Sequence, residues 1–403
     1  MLDLGFFLQI LLTLLVGYLI GRREQRRRKK NKNKNSPLFS QYCVGLNYLL
    51  NDQTDAAIDS FVLALENDTF ECQLLFGRLF RQRGALEKAI RIHQDILARP
   101  CLTHAQMLNI QFELVLDYLK AGLLDRAENL LVHLLDERWS GWKDCVATLL
   151  SVYETEKEWL QAIELVQRLE EPMRRQYAHR LSHYHCQIAE QALIQGNAPK
   201  ARQYLNKACT ADPHNVRTSL LIGRMEMMSG RYAEAIESLK RIIYQDQQYI
   251  SEGLDMLREC HEQTDSLHGF TSFLNRCVRL APTLPVILAL ASLKVRTKGI
   301  QEGVTLVGQH VTDKPSLEGI CALAEFHAKA ADGQAIGQFE KIHTLACDLM
   351  RHRPLYRCKQ CGFAGRELHW HCPQCHMWGS TVPMRGVCRQ HSDHLDFPHR
   401  NNG

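Results

Sequence analysis

The sequence predicts an all-α fold, a superhelical solenoid of repeated helix pairs, with a transmembrane helix before it and a small metal-binding domain after it. Three observations support this arrangement in the 403-residue chain. An apolar stretch lies at the amino terminus, a pattern of about 34 residues recurs through the middle of the chain, and two CxxC pairs stand near its end.

The amino-terminal stretch, LGFFLQILLTLLVGYLI at residues 4–20, is apolar except for Gln9, Thr13 and Tyr18. A helix of this length reaches about 26 Å, just enough to cross the hydrocarbon core of a bilayer. A basic run, RREQRRRKKNKNK, follows it, whereas a cleaved signal peptide carries its basic residues before the apolar stretch. We therefore predict an uncleaved anchor over residues 1–21 and a basic juxtamembrane linker over 22–37, with the bulk of the chain on the cytoplasmic side.

The same basic run explains the net charge of the chain. It holds nine Lys and Arg residues and one Glu, while the whole chain carries only +5. The remainder therefore has a small net negative charge. A protein whose basic residues are concentrated in one short segment is not expected to bind nucleic acid over its whole surface.

A repeated pattern runs from about residue 38 to residue 310. Its clearest copies are GLNYLLNDQTDAAIDSF at 45–61, GRLFRQRGALEKAI at 77–90 and GRMEMMSGRYAEAI at 223–236. In each, a small residue is followed by a turn seven positions later and by alanine five positions after that. The alanine marker recurs at Ala57, Ala89, Ala127, Ala162, Ala201, Ala235 and, in degenerate form, Gly269 and Gly303.

This pattern resembles the tetratricopeptide repeat, a 34-residue helix-turn-helix unit in which small residues allow close helix packing. We predict about eight or nine repeats over residues 38–350. The loops ADPHN at 211–215 and LAPTLP at 280–285 fit the connections between units. The concave face of such an array typically binds a protein or a peptide, so we expect protein partners, and a homo-oligomer is compatible with this surface.

The repeats contain no motif that indicates catalysis. His179 and His183 are spaced i, i+4, but the sequence between them lacks the Glu of a metalloprotease helix and offers no third ligand. We interpret these two residues as part of an ordinary polar helix face. Phosphate-binding loops and nucleophile elbows are absent from the sequence, so we do not expect an enzyme.

The carboxyl-terminal segment RCKQCGFAGRELHWHCPQCHMW contains CxxC pairs at Cys358/Cys361 and Cys372/Cys375. Each pair lets two thiolates approach one ion from a tight turn, and Gly362 permits the close backbone approach that lets amides donate to sulfur. We predict a closed four-sulfur metal site in a domain over residues 351–386. The ion would supply much of its stability, on the order of 10 kcal/mol, with Phe363, Trp370 and Trp378 packed around it.

Zinc is the first choice for this site, because four thiolates in a tetrahedron suit Zn²⁺. A single iron, as in rubredoxins, is the alternative. Cysteines elsewhere, such as Cys43, Cys186 and Cys321, are scattered among apolar positions, and we interpret them as small core residues of a protein in a reducing compartment. The tail over residues 387–403, with Cys388, His391 and His394, is polar and predicted to be disordered.

An anchor with a basic flank, tetratricopeptide-like repeats and a final rubredoxin-like segment occur here in that order. This combination resembles the LapB (YciM) lipopolysaccharide assembly protein B family of Gram-negative bacteria over essentially the whole chain. Its four metal-binding cysteines map onto Cys358, Cys361, Cys372 and Cys375, and its WHCPxCxxW run maps onto residues 370–378.

The resemblance implies an inner-membrane scaffold that presents the deacetylase LpxC to the membrane protease FtsH and gathers other lipopolysaccharide assembly proteins. Two other functions stay open on the residues alone. A zinc-ribbon nucleic-acid binder would use the arginines of the carboxyl-terminal segment, and a rubredoxin-like electron carrier would hold iron.

Overall fold

The computed structural model describes residues 70–100, 102–331 and 334–384, together with positions 44, 45, 47, 48, 56 and 60. The predicted anchor, the basic linker, most of the first repeat including Ala57, and the tail with Cys388, His391 and His394 lie outside these residues, as does Cys43. Across the described part of the chain, every helix is too short or too polar to span a bilayer. The chain divides into two compact units between Thr155 and Glu156.

The described part of the first unit is a series of helices joined by short turns. Each of the first three packs against the next along the chain. The third begins with a capping box, in which the Thr103 hydroxyl accepts from the amide of Gln106 and the Gln106 side chain accepts from the amide of Thr103. The helices are α1 (Phe70–Gln82), α2 (Leu86–Leu97), α3 (His104–Lys120), α4 (Leu124–Asp136) and α5 (Trp142–Glu156), the last ending at the first residue of the second unit.

The second unit continues the series of helices and ends in a small sheet. Its successive long helices pack against one another, and a 3₁₀ turn at Gln247–Tyr249 interrupts the series. The helices are α6 (Trp159–Arg168), α7 (Glu171–Gln176), α8 (Ala178–Ile194), α9 (Ala198–Ala211), α10 (Val216–Met228), α11 (Tyr232–Lys240), α12 (Ile242–Gln245), α13 (Ile250–Gln263), α14 (Leu267–Leu280), α15 (Leu284–Lys298), α16 (Ile300–Asp313), α17 (Leu317–Ala330) and α18 (Gln334–Met350).

The repeat markers occupy the positions that the pattern predicts. The alanine markers from Ala89 to Ala235 are fully buried in the second helix of each pair. The turn glycines adopt the left-handed conformation, with φ of +79° at Gly84 and +71° at Gly230, which a residue with a Cβ adopts only with strain. These observations confirm the predicted solenoid of tetratricopeptide type.

One marker was assigned to the wrong residue. In the regular repeats the marker amide donates to the carbonyl of the residue that precedes the second helix, as Ala235 does to Arg231 at 3.1 Å. At the corresponding place in α14, Phe270 donates to the carbonyl of Ser266 at 3.2 Å. Phe270 is buried and stacks on His261, so an aromatic ring fills the position that the sequence pattern assigned to Gly269.

The chain ends, within its described part, in a three-stranded antiparallel sheet of order β2-β1-β3. The strands are β1 (Tyr356–Cys358), β2 (Ala364–Gly365) and β3 (Thr381–Pro383), and Tyr356 pairs with Gly365 on one side and with Pro383 on the other. We call residues 356–383 the ribbon. This sheet confirms the small carboxyl-terminal domain of the predicted fold class.

Candidate metal centre

Each cysteine pair of the ribbon sits in a tight turn of the same design. In the first turn, the amide of Cys358 donates to the carbonyl of Phe363 at 2.7 Å, and the amide of Gly362 donates back to the carbonyl of Cys358 at 3.1 Å. In the second, the amide of His376 donates to the carbonyl of Cys372 at 2.9 Å. Gly362 has the left-handed conformation expected of it, with φ of +80°, and His376 holds the equivalent position with φ of +55°.

The two turns face each other and bring all four sulfur atoms together. The Sγ atoms of Cys358, Cys361, Cys372 and Cys375 lie within 4.8 Å of one another. The distances from Cys358 to Cys375 and from Cys361 to Cys372 are both 3.7 Å. A tetrahedron with Zn–S bonds of 2.3 Å has sulfur–sulfur edges of about 3.8 Å, so the cluster already has the dimensions of such a site.

The thiols of this cluster are close enough to shift one another's pKa values. Burial raises the pKa of Cys358, but hydrogen bonds with the Ser380 hydroxyl and the amides of Cys361 and Gln360 outweigh it and lower this pKa to about 6. Burial and contacts with the other three sulfur atoms raise the pKa of Cys375 to about 12. Four thiolates this close together repel one another, and a divalent metal ion is the natural compensation.

Trp378 fixes the ribbon to the helices of the second unit. Its ring stacks on His183 of α8, with centroids 5.0 Å apart and planes at 26°. It also meets Trp159 of α6 and Tyr184 of α8 edge-on, each with a centroid distance of 5.9 Å. Only 4% of Trp378 is exposed. The ring was expected to pack around the metal, but it lies between the ribbon and the repeats.

A second set of contacts joins the ribbon to the helices around α13. Trp370 stacks on Tyr249 with a centroid distance of 5.3 Å, and the Tyr249 hydroxyl donates to the carbonyl of Thr381 at 2.6 Å. From the ribbon side, the Tyr356 hydroxyl donates to the carboxylate of Glu252 at 3.0 Å. The ribbon is therefore fixed to the repeats by both stacked rings and hydrogen bonds.

The interpretation of His183 as part of a polar helix face was wrong. His179 does face outward, and its Nδ1 lies 2.9 Å from Asp212. His183 is only 1% exposed, and neither of its ring nitrogens has a hydrogen-bond partner among the described residues. Burial, together with the nearby charges of His179 and Arg217, holds the pKa of His183 well below its usual range. His183 therefore enters the interface as a neutral ring.

Sequence reasoning missed this interface because its members are far apart in the chain. The only local indication was the unusual concentration of aromatic residues and histidines in HRLSHYHC and in HWHCPQCHMW. Neither segment alone indicates that the other is its partner.

Models of known protein families match both the ribbon and a stretch of the repeats. The family model described as a rubredoxin metal-binding domain matches residues 356–383, and a tetratricopeptide-repeat model matches residues 192–260. These two matches cover the ribbon and the part of the chain from the end of α8 into α13.

Two full-length relatives extend the likeness to nearly the whole sequence. Lipopolysaccharide assembly protein B of Escherichia coli K12 is 33% identical over 385 residues, which cover 94% of this chain and 98% of that protein. The protein of the same name from Haemophilus influenzae is 31% identical over 389 residues, 94% of this chain and 97% of its own. The chain therefore belongs to the lipopolysaccharide assembly protein B family.

Proposed function

We propose that Cys358, Cys361, Cys372 and Cys375 bind one structural zinc ion. The 3.7 Å sulfur–sulfur distances and the rubredoxin-type family match support a bound metal in this cluster. Four protein ligands close the coordination shell, so the ion holds the two turns together and has no open position for a catalytic water. Iron would fit the same four sulfur atoms and is the alternative.

The chain is a non-enzymatic scaffold, as its family and its tetratricopeptide repeats indicate. The contacts of Trp378 and Trp370 with the helices make the ribbon and the repeats of the second unit one continuous body. A partner could therefore contact the ribbon and the helices at the same time. This docking is the observation on which the proposed function depends.

The proposed partners rest on the resemblance to this family. We propose that the chain restrains lipopolysaccharide synthesis by presenting the deacetylase LpxC to the membrane protease FtsH, and that it gathers other lipopolysaccharide assembly proteins. Residues 1–21 would anchor it in the inner membrane with the repeats on the cytoplasmic side. Confinement to the membrane that holds the protease raises the effective concentration of the pair without any new contact.

The contacts of the ribbon do not favour the nucleic-acid alternative. Stacking on single strands requires exposed aromatic rings. Trp378 is buried against α6 and α8, and Trp370 is half-buried against Tyr249, so both rings already have partners within the protein.

The half-life of LpxC in living cells tests the proposal. It should be measured after synthesis is blocked, in cells with the full chain, with the chain lacking residues 1–21, and with no chain at all. We expect LpxC to persist several times longer in the last two, provided the truncated protein is present at normal abundance. Unchanged turnover in cells without the chain would exclude the adaptor function.

A further inference from the structure

A second group of potential metal ligands lies between the last two helices. Cys321 of α17 and His343 and Cys347 of α18 bring one ligand atom each to within 4.8 Å of the others. The Sγ atoms of Cys321 and Cys347 are 3.0 Å apart, and Nε2 of His343 lies 3.5 Å from Sγ of Cys347. None of these atoms belongs to the ribbon.

The helices hold these three residues in place. His343 and Cys347 are spaced i, i+4, which puts them on one face of α18. Helix α17 packs along α18 and presents Cys321 to that face, where its thiol also lies 3.8 Å from the carbonyl of His343. Ligands supplied by two packed helices are more rigidly placed than ligands on loops, which lowers the cost of ordering them around an ion.

The distances are close to those of a tetrahedral site. With Zn–S bonds of 2.3 Å and a Zn–N bond of 2.0–2.1 Å, a sulfur–nitrogen edge is about 3.6 Å and a sulfur–sulfur edge about 3.8 Å. The observed separation of His343 and Cys347 matches the first value. The two sulfur atoms would move apart by less than an ångström to reach the second, a shift that small χ1 rotations at Cys321 and Cys347 supply.

The exposure of the three residues differs from that of core cysteines. Cys321 is buried, as expected of a small core residue, but His343 and Cys347 are half-buried. An ion between them would be reached from solvent on one side, and the three ligands would leave its fourth position open. By contrast, Cys186 is completely buried against Thr218 and belongs to no such group among the described residues.

We propose that Cys321, His343 and Cys347 form a second zinc-binding site with three protein ligands and one open position. Two thiolates and an imidazole are a donor set that suits Zn²⁺, an ion of borderline softness. The ion would tie α17 to α18, the helix that leads directly into the ribbon. Because its shell is open, this site binds zinc less tightly than the closed site of four thiolates.

Counting the zinc bound to the full-length protein tests this proposal. The purified chain should be stripped with a chelator under reducing conditions, reloaded with zinc, freed of excess metal by gel filtration and analysed for metal and protein. We expect about two zinc ions per chain for the wild type and about one for Cys347→Ser and for His343→Asn. Because His343 is half-exposed, His343→Asn is expected to fold even if the cysteine variant does not.

Two controls separate this site from the ribbon. Cys209→Ser, at a half-buried cysteine outside both clusters, should keep both ions. Cys358→Ser with Cys361→Ser should lose the ion of the ribbon but keep the other. Loading with Co²⁺ gives a second readout, since a site with two sulfur ligands has a different visible spectrum from one with four.

Two results would overturn the proposal. One is a wild-type stoichiometry of one zinc that Cys347→Ser and His343→Asn leave unchanged. The other is a disulfide between Cys321 and Cys347 in protein purified under reducing conditions, detected by mass spectrometry after alkylation. Either result leaves the four-cysteine site and the proposed adaptor function untouched, because neither depends on these residues.

Discussion

The ring of Trp378 lies on the ring of His183, with centroids 5.0 Å apart, although 195 positions of sequence separate the two residues. Trp378 follows the second cysteine pair, and His183 lies in the middle of α8. This contact means that the ribbon, which is too short to have a large core, uses the helices as part of its core. The metal ion and the helices would then stabilise the ribbon together.

Replacing Trp378 tests how much the helices contribute. Trp378→Ala removes a large buried ring. It should lower the free energy of local unfolding of the ribbon by about 3–5 kcal/mol. Amide hydrogen exchange over residues 356–383 should then become at least about a hundredfold faster. Met377→Ala is the matched control, because that neighbouring side chain is 42% exposed, and its exchange rates should stay near those of the wild type. Equal rates in both variants would show that the ribbon does not depend on the helices.

Glycine substitutions test the close helix packing of the repeats. A Cβ on Gly77 would lie 2.2 Å from Nε2 of His93, a fully buried ring whose Nδ1 lies 2.5 Å from Asp117. Gly77→Ala should therefore destabilise the protein by about 1–3 kcal/mol.

The control for Gly77 is Gly337, which lies in the first turn of α18 with no atom of the described residues within 4 Å of an added Cβ. Gly337→Ala should stabilise its helix by up to about 1 kcal/mol, because alanine has the higher helix propensity. Thermal unfolding followed by circular dichroism measures both effects. A stabilising effect of Gly77→Ala would contradict the packing described for this repeat.

The buried histidines should make the second unit sensitive to mild acid. Burial lowers the pKa of His183 far below 6.5, and burial together with Lys207 lowers the pKa of His185 to about 4. Since the folded pKa values lie below the unfolded value, the unfolded chain binds protons first as the pH falls. Stability should be constant above about pH 7.5 and decline below about 6.5, by up to about 1.4 kcal/mol per pH unit for each histidine.

Denaturant midpoints between pH 8 and pH 5 measure this decline. His183→Asn should flatten the profile in that range, because it removes one of the groups responsible. A profile that is identical with and without His183 would show that its ring is not held neutral by burial.

Removing the metal should unfold the ribbon and leave the helices folded. We expect a strong chelator to take one zinc from the four-cysteine site and to abolish exchange protection in β1 and β3, while the helical circular dichroism stays nearly unchanged. The ion of this site is identified by comparing the metal content of the wild type with that of the double variant Cys358→Ser, Cys361→Ser. Iron in place of zinc, with a visible spectrum, would contradict the zinc assignment.

The features that the sequence could predict have a fixed spacing. The buried markers such as Ala235 recur at the period of the repeat, and the four sulfur atoms follow from two CxxC pairs. The pattern missed Phe270 because its buried ring, stacked on His261, fills a position that a small residue holds in the regular repeats.

The contacts that connect distant parts of the chain could not be predicted. The stacking of His183 with Trp378 depends on where α8 lies in the folded array of repeats. The period of the sequence pattern does not specify that location. The same holds for Cys321. Its partners His343 and Cys347 show helical spacing in the sequence, but only the packing of α17 on α18 brings the three residues together.

The proposed adaptor function requires the metal-built ribbon, docked on the repeats, for presentation of LpxC to the protease. It is tested most directly by the half-life of LpxC in cells that carry the Cys358→Ser, Cys361→Ser chain, compared with cells that carry Cys209→Ser. With both proteins at wild-type abundance, we expect a half-life several times longer in the first strain and a normal half-life in the second. Equally rapid loss of LpxC in both strains would contradict it.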